Sequence, residues 1–341
     1  MRPTILDIDA VLAEAGPPPA GHARRIGVSR QGRDLVGYRF GRGPHRVSLI
    51  AGCHADEPVG PAMLDRLAAH LAGLPPAAAP VARIEWYLVP HTNPDGEARN
   101  RAWIPERLAG PAALIELAPY LRHAVRELPG DDVEFGFPRH PGDSAARPEN
   151  RAVAEFLRPG APFALHASFH GMAFAAGPWF LLERAWIDRT AAMRQALRAR
   201  VRDLGYRLHD VDRGGEKGFD RIDEGFTTRP DSRAMAAHFE ALGDPETAAL
   251  FRPSSMEFVR SLGGDPLTLV SEMPLFLAPA EVYRGDDPVR PAEIVELYQL
   301  AGDPDALQAR AKDLGVRPMP VFHQMRLQLE YLAAGLGACC G

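Results

Sequence analysis

Residues 46–57 read RVSLIAGCHADE. The first eight form a short apolar, β-prone run, and the following VGPAMLDRLAAHLAGL carries Val59, Met63, Leu64, Leu67 and Leu71 at helical spacing. A strand therefore feeds a helix through the polar turn HADEP. Working outward, LPPAAAP at 74–80 reads as a loop, and ARIEWYLVP at 82–90 reads as a second strand that stops at HTNPDG. RPENRAVAEFLR at 147–158 reads as a helix, APFALHASFHG at 161–171 as a buried strand and PLTLVSEMP at 266–274 as another, with 291–315 and 319–336 helical. Strands alternating with helices imply an α/β sheet.

The 341 residues carry 39 basic and 44 acidic side chains, 46% hydrophobic and 24% charged residues. Those proportions give a globular chain and exclude a disordered or collagenous one. A formal charge of −5 leaves no basic footprint, so neither nucleic acid nor an anionic membrane is an expected partner. Three cysteines, Cys53, Cys339 and Cys340, cannot build a disulfide framework. The amino terminus lacks the basic and apolar regions of a signal peptide, and no uncharged apolar run reaches about 18 residues. A cytoplasmic protein without a membrane span is the expectation. The expected organisation is one domain over 1–341, with an excursion over the active-site rim at about 207–253 and a helical carboxyl-terminal segment at about 280–341.

His54 and Glu57 stand three apart at the carboxyl end of the first strand, where open α/β sheets place ligands, and can converge on one metal ion. A helix amino terminus also favours acidic residues for its own sake. The third ligand must come from elsewhere, and the strand at 161–171 offers His166 and His170. Four residues apart on a strand they share a face but lie roughly 13 Å from each other, so one ion cannot take both. His170, at the strand end and level with His54, is the expected ligand, and His166 an interior histidine. His91 reads as a turn or rim residue. The HExxH pattern of helical zinc sites is absent.

In this order the sequence resembles the zinc carboxypeptidase family, the group of the pancreatic carboxypeptidases A and B. ARRIGVSRQGRDL is similar to the family's opening Gly-x-Ser-x-x-Gly-Arg segment, LIAGCHADEPVG to its His-x-x-Glu zinc turn and HTNPDG to its Asn-Pro-Asp-Gly turn. GDDVEFGFP with RPENRAVAEFL resembles the Gly-Val-Asp-Leu-Asn-Arg-Asn-Phe-Pro stretch and the helix after it. ASFHGM resembles the strand of the third ligand, and SSMEFVRSLGGDPLTLVSEMP the segment that ends in the catalytic glutamate. The resemblance implies a mixed central β-sheet flanked by helices, and one Zn2+ held by His54, Glu57 and His170 with a water in the open fourth position. It implies Glu272 as the general base and a peptide or acyl-amino-acid substrate. An arginine after the Asn-Pro-Asp-Gly turn is implied as partner of the oxyanion; Arg99, Arg101 and Arg107 are offered there, and Arg101 is selected. Met256 corresponds to a position lining the specificity pocket.

The pattern breaks where the family holds a substrate carboxylate with an Asn-Arg pair, because the matching residues are Glu134 and Phe135. Neither donates the paired hydrogen bonds that a guanidinium gives a carboxylate. No tyrosine stands at Ala249 or Leu250, where the family's substrate-capping tyrosine would fall. Arg213, Arg221 and Arg229 in the excursion are the candidates to replace the clamp. The expected activity is zinc-dependent hydrolysis of peptide or amide bonds with non-standard carboxyl-terminal specificity. Two alternatives stand beside it: an N-acyl amino acid deacylase of the aspartoacylase and succinylglutamate desuccinylase type, and a catalytically silent zinc-binding module.

Overall fold

The computed structural model describes residues 5–105, 108, 110, 112–285 and 287–340. Ten strands occur in chain order among them: β1 (Arg24–Val28), β2 (Asp34–Phe40), β3 (His45–Ala51), β4 (Ile84–Val89), β5 (Leu165–Ala175), β6 (Trp179–Leu182), β7 (Arg221–Asp223), β8 (Phe226–Thr228), β9 (Leu267–Leu277) and β10 (Arg317–Pro318). They form one mixed sheet in the order β1-β2-β4-β3-β5-β9-β6-β8-β7, with β10 on β9. The centre, β4-β3-β5-β9, is parallel, and the flanks close with antiparallel pairs. Central parallel strands are covered on both faces and read as continuous apolar runs, as VSLIA at 47–51 and LTLV at 267–270 do here.

Alternation within each strand divides the core in two. Leu49, Trp86, Leu88 and Leu269 face the helices Val59–Gly73 and Val321–Cys339, packing on Met63, Leu67, Leu329 and Leu336. Ile50, Tyr87 and Val89 face the opposite side, where Val153 and Phe156 of Pro148–Leu157 join Phe137, Phe163 and Phe258. No helix among the described residues is long and apolar enough to cross a membrane.

The structure departs from the sequence reading at several places. Strand β5 continues through Gly171 to Ala175, and β9 through Pro274 to Leu277. Gly171 stays extended opposite Met273, and Pro274 pairs with Met172, so neither residue stops the ladder. The proposed loop at 74–80 ends in a short helix, Ala79–Arg83, and 291–315 divides into Ala292–Gln299 and Pro304–Asp313. The middle of the 207–253 excursion is sheet: β7 and β8 extend the edge beyond β6, with Phe226 stacked on Phe180 at 5.4 Å.

Strands β3 and β5 are neighbours, but the connection from β3 passes first to β4 on the other side. The crevice outside their carboxyl ends is thus a topological switch point. The turn that leaves β3 depends on Gly52, whose φ is +65° and at which a side chain would meet His91 Nδ1 at 2.9 Å and Pro61 at 3.1 Å. Only glycine takes that conformation freely. Gly52→Ala is expected to lower unfolding stability by about 1–3 kcal/mol in denaturant titration; an unchanged midpoint would refute the constraint.

Candidate active site

The turn after Gly52 brings His54 and Glu57 against His170 of β5. Glu57 lies with Oε1 2.7 Å from His54 Nδ1 and Oε2 3.0 Å from His170 Nδ1, and the two Nδ1 atoms are 3.2 Å apart. Glu57 and His170 are buried and His54 is half-buried. Burial pushes Glu57 upward, but His54, His170 and Arg126 outweigh it and hold its carboxyl well below the usual range. Burial pulls both imidazoles down, and carboxylates reverse this: Glu57 and Asp132 around His54, Glu134 and Glu57 around His170, so both are raised well above the ordinary value. Without a metal, the cluster thus concentrates positive charge as protons between its carboxylates.

The polar motifs around 93–95 and 147–150 are the scaffold of this turn. Asn93 caps its helix at Gly96 N, while its Nδ2 donates to the Cys53 carbonyl at 3.3 Å and to Glu127 Oε1 at 2.9 Å. Asp95 accepts from Ser29 Oγ at 2.6 Å, Gln31 N at 3.0 Å and Arg33 Nη1 at 2.7 Å, which ties the β1–β2 turn to the Asn-Pro-Asp-Gly helix. Asn150 Nδ2 donates to the Val133 carbonyl at 2.7 Å, so the helix at 148–157 holds the segment that carries Asp132 and Glu134, and Glu149 accepts Arg30 N at 2.9 Å, which ties the same helix to the β1–β2 turn. Glu127 supports the turn a second time by accepting Ala55 N at 3.3 Å. No sequence pattern marked Glu127.

Residues 14–109 match the family model for zinc carboxypeptidases. Over that stretch the chain is similar to the zinc carboxypeptidases. It is 30% identical to carboxypeptidase D of Drosophila melanogaster over 186 residues, half of this chain but 12% of that protein's length. In shape it is similar to a metallo-carboxypeptidase from Burkholderia cenocepacia, with a TM-score of 0.49, 15% identity and coverage of 94% of this chain and 65% of the other. It is also similar to the carboxypeptidase A of Helicoverpa armigera, with a TM-score of 0.47, 12% identity and coverage of 93% and 68%.

The donor chemistry of the cluster fits the zinc that the zinc carboxypeptidase family implies. Two imidazole nitrogens and a carboxylate at 2.7–3.2 Å from one another approach the roughly 3.3 Å edge of a tetrahedron with bonds of about 2.05 Å. A second group, Cys53, Glu134 and His170, also lies within metal reach. Glu134 approaches the other side of the ring: its Oε2 is 3.0 Å from His170 Nε2, and Ser168 Oγ is 2.6 Å from the same nitrogen. One neutral imidazole offers a single lone pair, so a metal on Nδ1 leaves Nε2 as the protonated nitrogen facing Ser168 and Glu134. Glu134 Oε2 is buried without a hydrogen-bond partner, so its contact with His170 is ionic rather than a directed hydrogen bond. Asp132 Oδ2 stands 3.7 Å from His54 Nε2 in the equivalent position.

Glu272 lies on β9 directly opposite His170 in register and lines the same cavity, of about 380 Å³, as His54 and His170. Burial, reinforced by Glu57 and opposed by His170, His54 and Arg126, pushes its carboxyl up to about 8. Phe135 and Met256 line this cavity too. Phe135 meets Phe251 edge-on at 5.4 Å, and Phe251 stacks on Phe239, an aromatic wall that sequence reading did not anticipate. His166 is fully buried with Nδ1 2.7 Å from Ser48 Oγ, and burial lowers it to about 3; its Nε2 has no partner among the described residues.

The arginine assignment changes. Arg101 is exposed and does not line the cavity, Arg99 pairs with Glu127, and Arg107 lies outside the described residues. The guanidinium at the cluster is that of Arg126, 3.2 Å from Glu57 Oε1 and 3.3 Å from Asp56 Oδ1. Buried Asn100 explains how it arrives: Nδ2 donates to the Val125 carbonyl and Oδ1 accepts Val125 N, both at 2.8 Å, which pins the residue before Arg126. The segment between these two points hides the relation from any local motif.

Two measurements test this geometry. The folded value of Glu272 lies above its ordinary 4.5, so its protonated form contributes stability that is complete below about pH 4.5 and lost as pH rises through about 8. In metal-free protein, Glu272→Gln should therefore gain thermal stability over wild type progressively across that window; a pH-independent difference refutes it. Glu134→Ala should weaken zinc retention against a chelator by about 10–100-fold, and equal retention would separate Glu134 from His170.

Proposed function

We propose that this protein is a zinc-dependent hydrolase of peptide or amide bonds. The observation that carries the reading is the convergence of ligand atoms of His54, Glu57 and His170 within 4.8 Å of one another beside a cavity that His54, His170, Glu272 and Arg126 border. His54, Glu57 and His170 would hold the ion. A bound zinc supplies Lewis acidity, which polarises a carbonyl and lowers the pKa of water.

Glu272 accepts the proton of the attacking water and delivers it to the leaving nitrogen. Its carboxyl, raised by burial, becomes more acidic when a dication enters the cluster, so the carboxylate form is available near neutral pH. Arg126 donates to the carbonyl oxygen as negative charge develops on it, and its ion pairs with Asp56 and Glu57 fix its direction beforehand. Asp132 and Glu134 keep the outer nitrogens of His54 and His170 oriented. Met256 with Leu181 and Val270 forms an apolar floor for a substrate side chain. A silent module would have no use for a desolvated carboxylate facing the ligand set, which favours turnover. The deacylase reading differs only in substrate and is carried into the test.

Zinc-loaded wild type, Glu272→Gln, Arg126→Gln and Arg101→Gln are to be assayed on free and blocked peptides and on N-acyl amino acids. Expected are one zinc per chain in all four, losses in kcat of about 10²–10⁴ for Glu272→Gln and about 10²–10³ for Arg126→Gln, and none for Arg101→Gln. Full activity of Glu272→Gln overturns the mechanism. Turnover of N-acyl amino acids alone selects the deacylase.

A further inference from the structure

We propose that Arg213 and Lys217 form a carboxylate-binding subsite at the rim of the active-site cavity, for a substrate that pairs an apolar group with a carboxylate. The proposal rests on the hydrolase reading for its meaning, but not for its geometry. Both side chains line the cavity that holds His54, His170 and Glu272. Both are largely buried, with side-chain exposures of 13% and 25%.

Charge is not balanced there. Arg213 reaches Glu216 Oε2 through Nε at 3.0 Å and Nη2 at 2.8 Å, and Lys217 Nζ is 3.3 Å from Oε1 of the same carboxylate. One anion thus faces two cations, and Glu216 does not line the cavity. Arg213 Nη1 has no hydrogen bond among the described residues, so a donor remains for a ligand. Asp132, Glu134 and Glu272 also line the cavity, but at this rim two cations share one carboxylate, and that local excess favours an anion.

The backbone gives an independent sign. Lys217 has φ +56° and is the only non-glycine with positive φ among the described residues, set between Gly215 and Gly218. It is also one of two lysines in the chain. Glycine would occupy this position without strain, yet a long cation is held there; such strain gathers at ligand-contacting positions. Arg213 is fixed against the ring of Phe219 at 4.2 Å, Phe219 stacks on Trp179 at 5.2 Å, and Trp179 pairs with Glu272 across β6 and β9. The rim is therefore registered to the strand that carries the proposed base.

The other arginines do not compete. Arg229 lines the cavity, but its Nη2 donates to Glu183 at 2.8 Å, its Nε to Thr268 at 3.1 Å and its Nη1 to the Pro230 carbonyl at 3.3 Å, so each nitrogen already has a partner, and Arg221 pairs with Asp210 and does not line it. Phe135 lies in the aromatic wall, where a substrate's apolar part can rest. The carboxylate can be the chain's terminal group or an acidic side chain, and the probes separate these.

The probes are acetyl-Ala-Leu and acetyl-Ala-Glu, each as free acid and as C-terminal amide, on zinc-loaded wild type, Lys217→Asn and Arg213→Gln. Asparagine tolerates the left-handed backbone, so Lys217→Asn removes charge and not the turn; Lys217→Arg is the rescue. Expected is a fall of about ten-fold or more in kcat/KM, mainly through KM, for probes bearing a carboxylate, with acetyl-Ala-Leu amide unchanged and Lys217→Arg restoring most of the loss. A response confined to free α-carboxylates identifies the terminal group, and one confined to the glutamyl probes identifies the side chain. Equal effects on neutral and charged probes, or none, overturn the subsite. If no probe is hydrolysed, the hydrolase reading fails separately, and calorimetric binding of acetyl-Ala-Glu decides: about ten-fold weaker binding to Lys217→Asn upholds the subsite, while equal or absent binding removes it.

Discussion

Glu57 is a buried carboxylate with one oxygen on each of two imidazoles and a guanidinium beside it. A charge in that position is costly unless every neighbour is arranged to meet it, and removing one partner leaves the others uncompensated. The arrangement therefore demands that four separate pieces of chain arrive together: the turn after β3, the middle of β5, the stretch around Arg126 and the loop carrying Asp132. The parallel centre of the sheet brings the first two side by side. The loops must be brought by other means.

Those means are polar and mostly short. Asn93, Asp95, Asn100, Asn150 and Glu149 are all buried, and each spends its side chain on the backbone or polar groups of another loop. Buried polar groups of this kind favour the one arrangement that supplies their partners, although Glu149 Oε2 and Asn150 Oδ1 have none among the described residues. Gly52 and the close packing around it let the chain leave β3 sharply enough to enter this network.

How much of this could be read in the residues follows from the range of each interaction. The strand at 46–53, its helix and the buried strands at 161–171 and 266–274 were legible because apolar periodicity is local. His54, Glu57 and His170 were legible as candidates because strand ends and spacing place them on one edge, and Glu272 through the family resemblance; His54, His170 and Glu272 border one cavity, with Glu57 against both histidines. Strands β1, β2, β6, β7, β8 and β10 escaped notice; they are short or mixed in polarity, and pairing with the growing sheet decides them. Arg126 escaped because its position is set by Asn100 across a long stretch of chain, whereas Arg101 merely follows the turn in sequence. Glu134 was legible as a departure from the family pattern, but not as a neighbour of His170, since that contact depends on how the loop folds back.

The clamp of Asn100 on Val125 has a consequence for how such a chain can change. Both ends of the stretch 101–124 are anchored, one by the helix at Pro94–Asn100 and the other by this pair of hydrogen bonds. The entropy of closing a loop grows only slowly with its length. Trp103, Ile115 and Tyr120 within the stretch belong to the core, and Tyr120 donates to Asp56, so insertions or deletions that spare them can accumulate at small thermodynamic cost while the guanidinium keeps its address, and there lineages can diverge, or a designer can graft a new recognition element, without disturbing the chemistry.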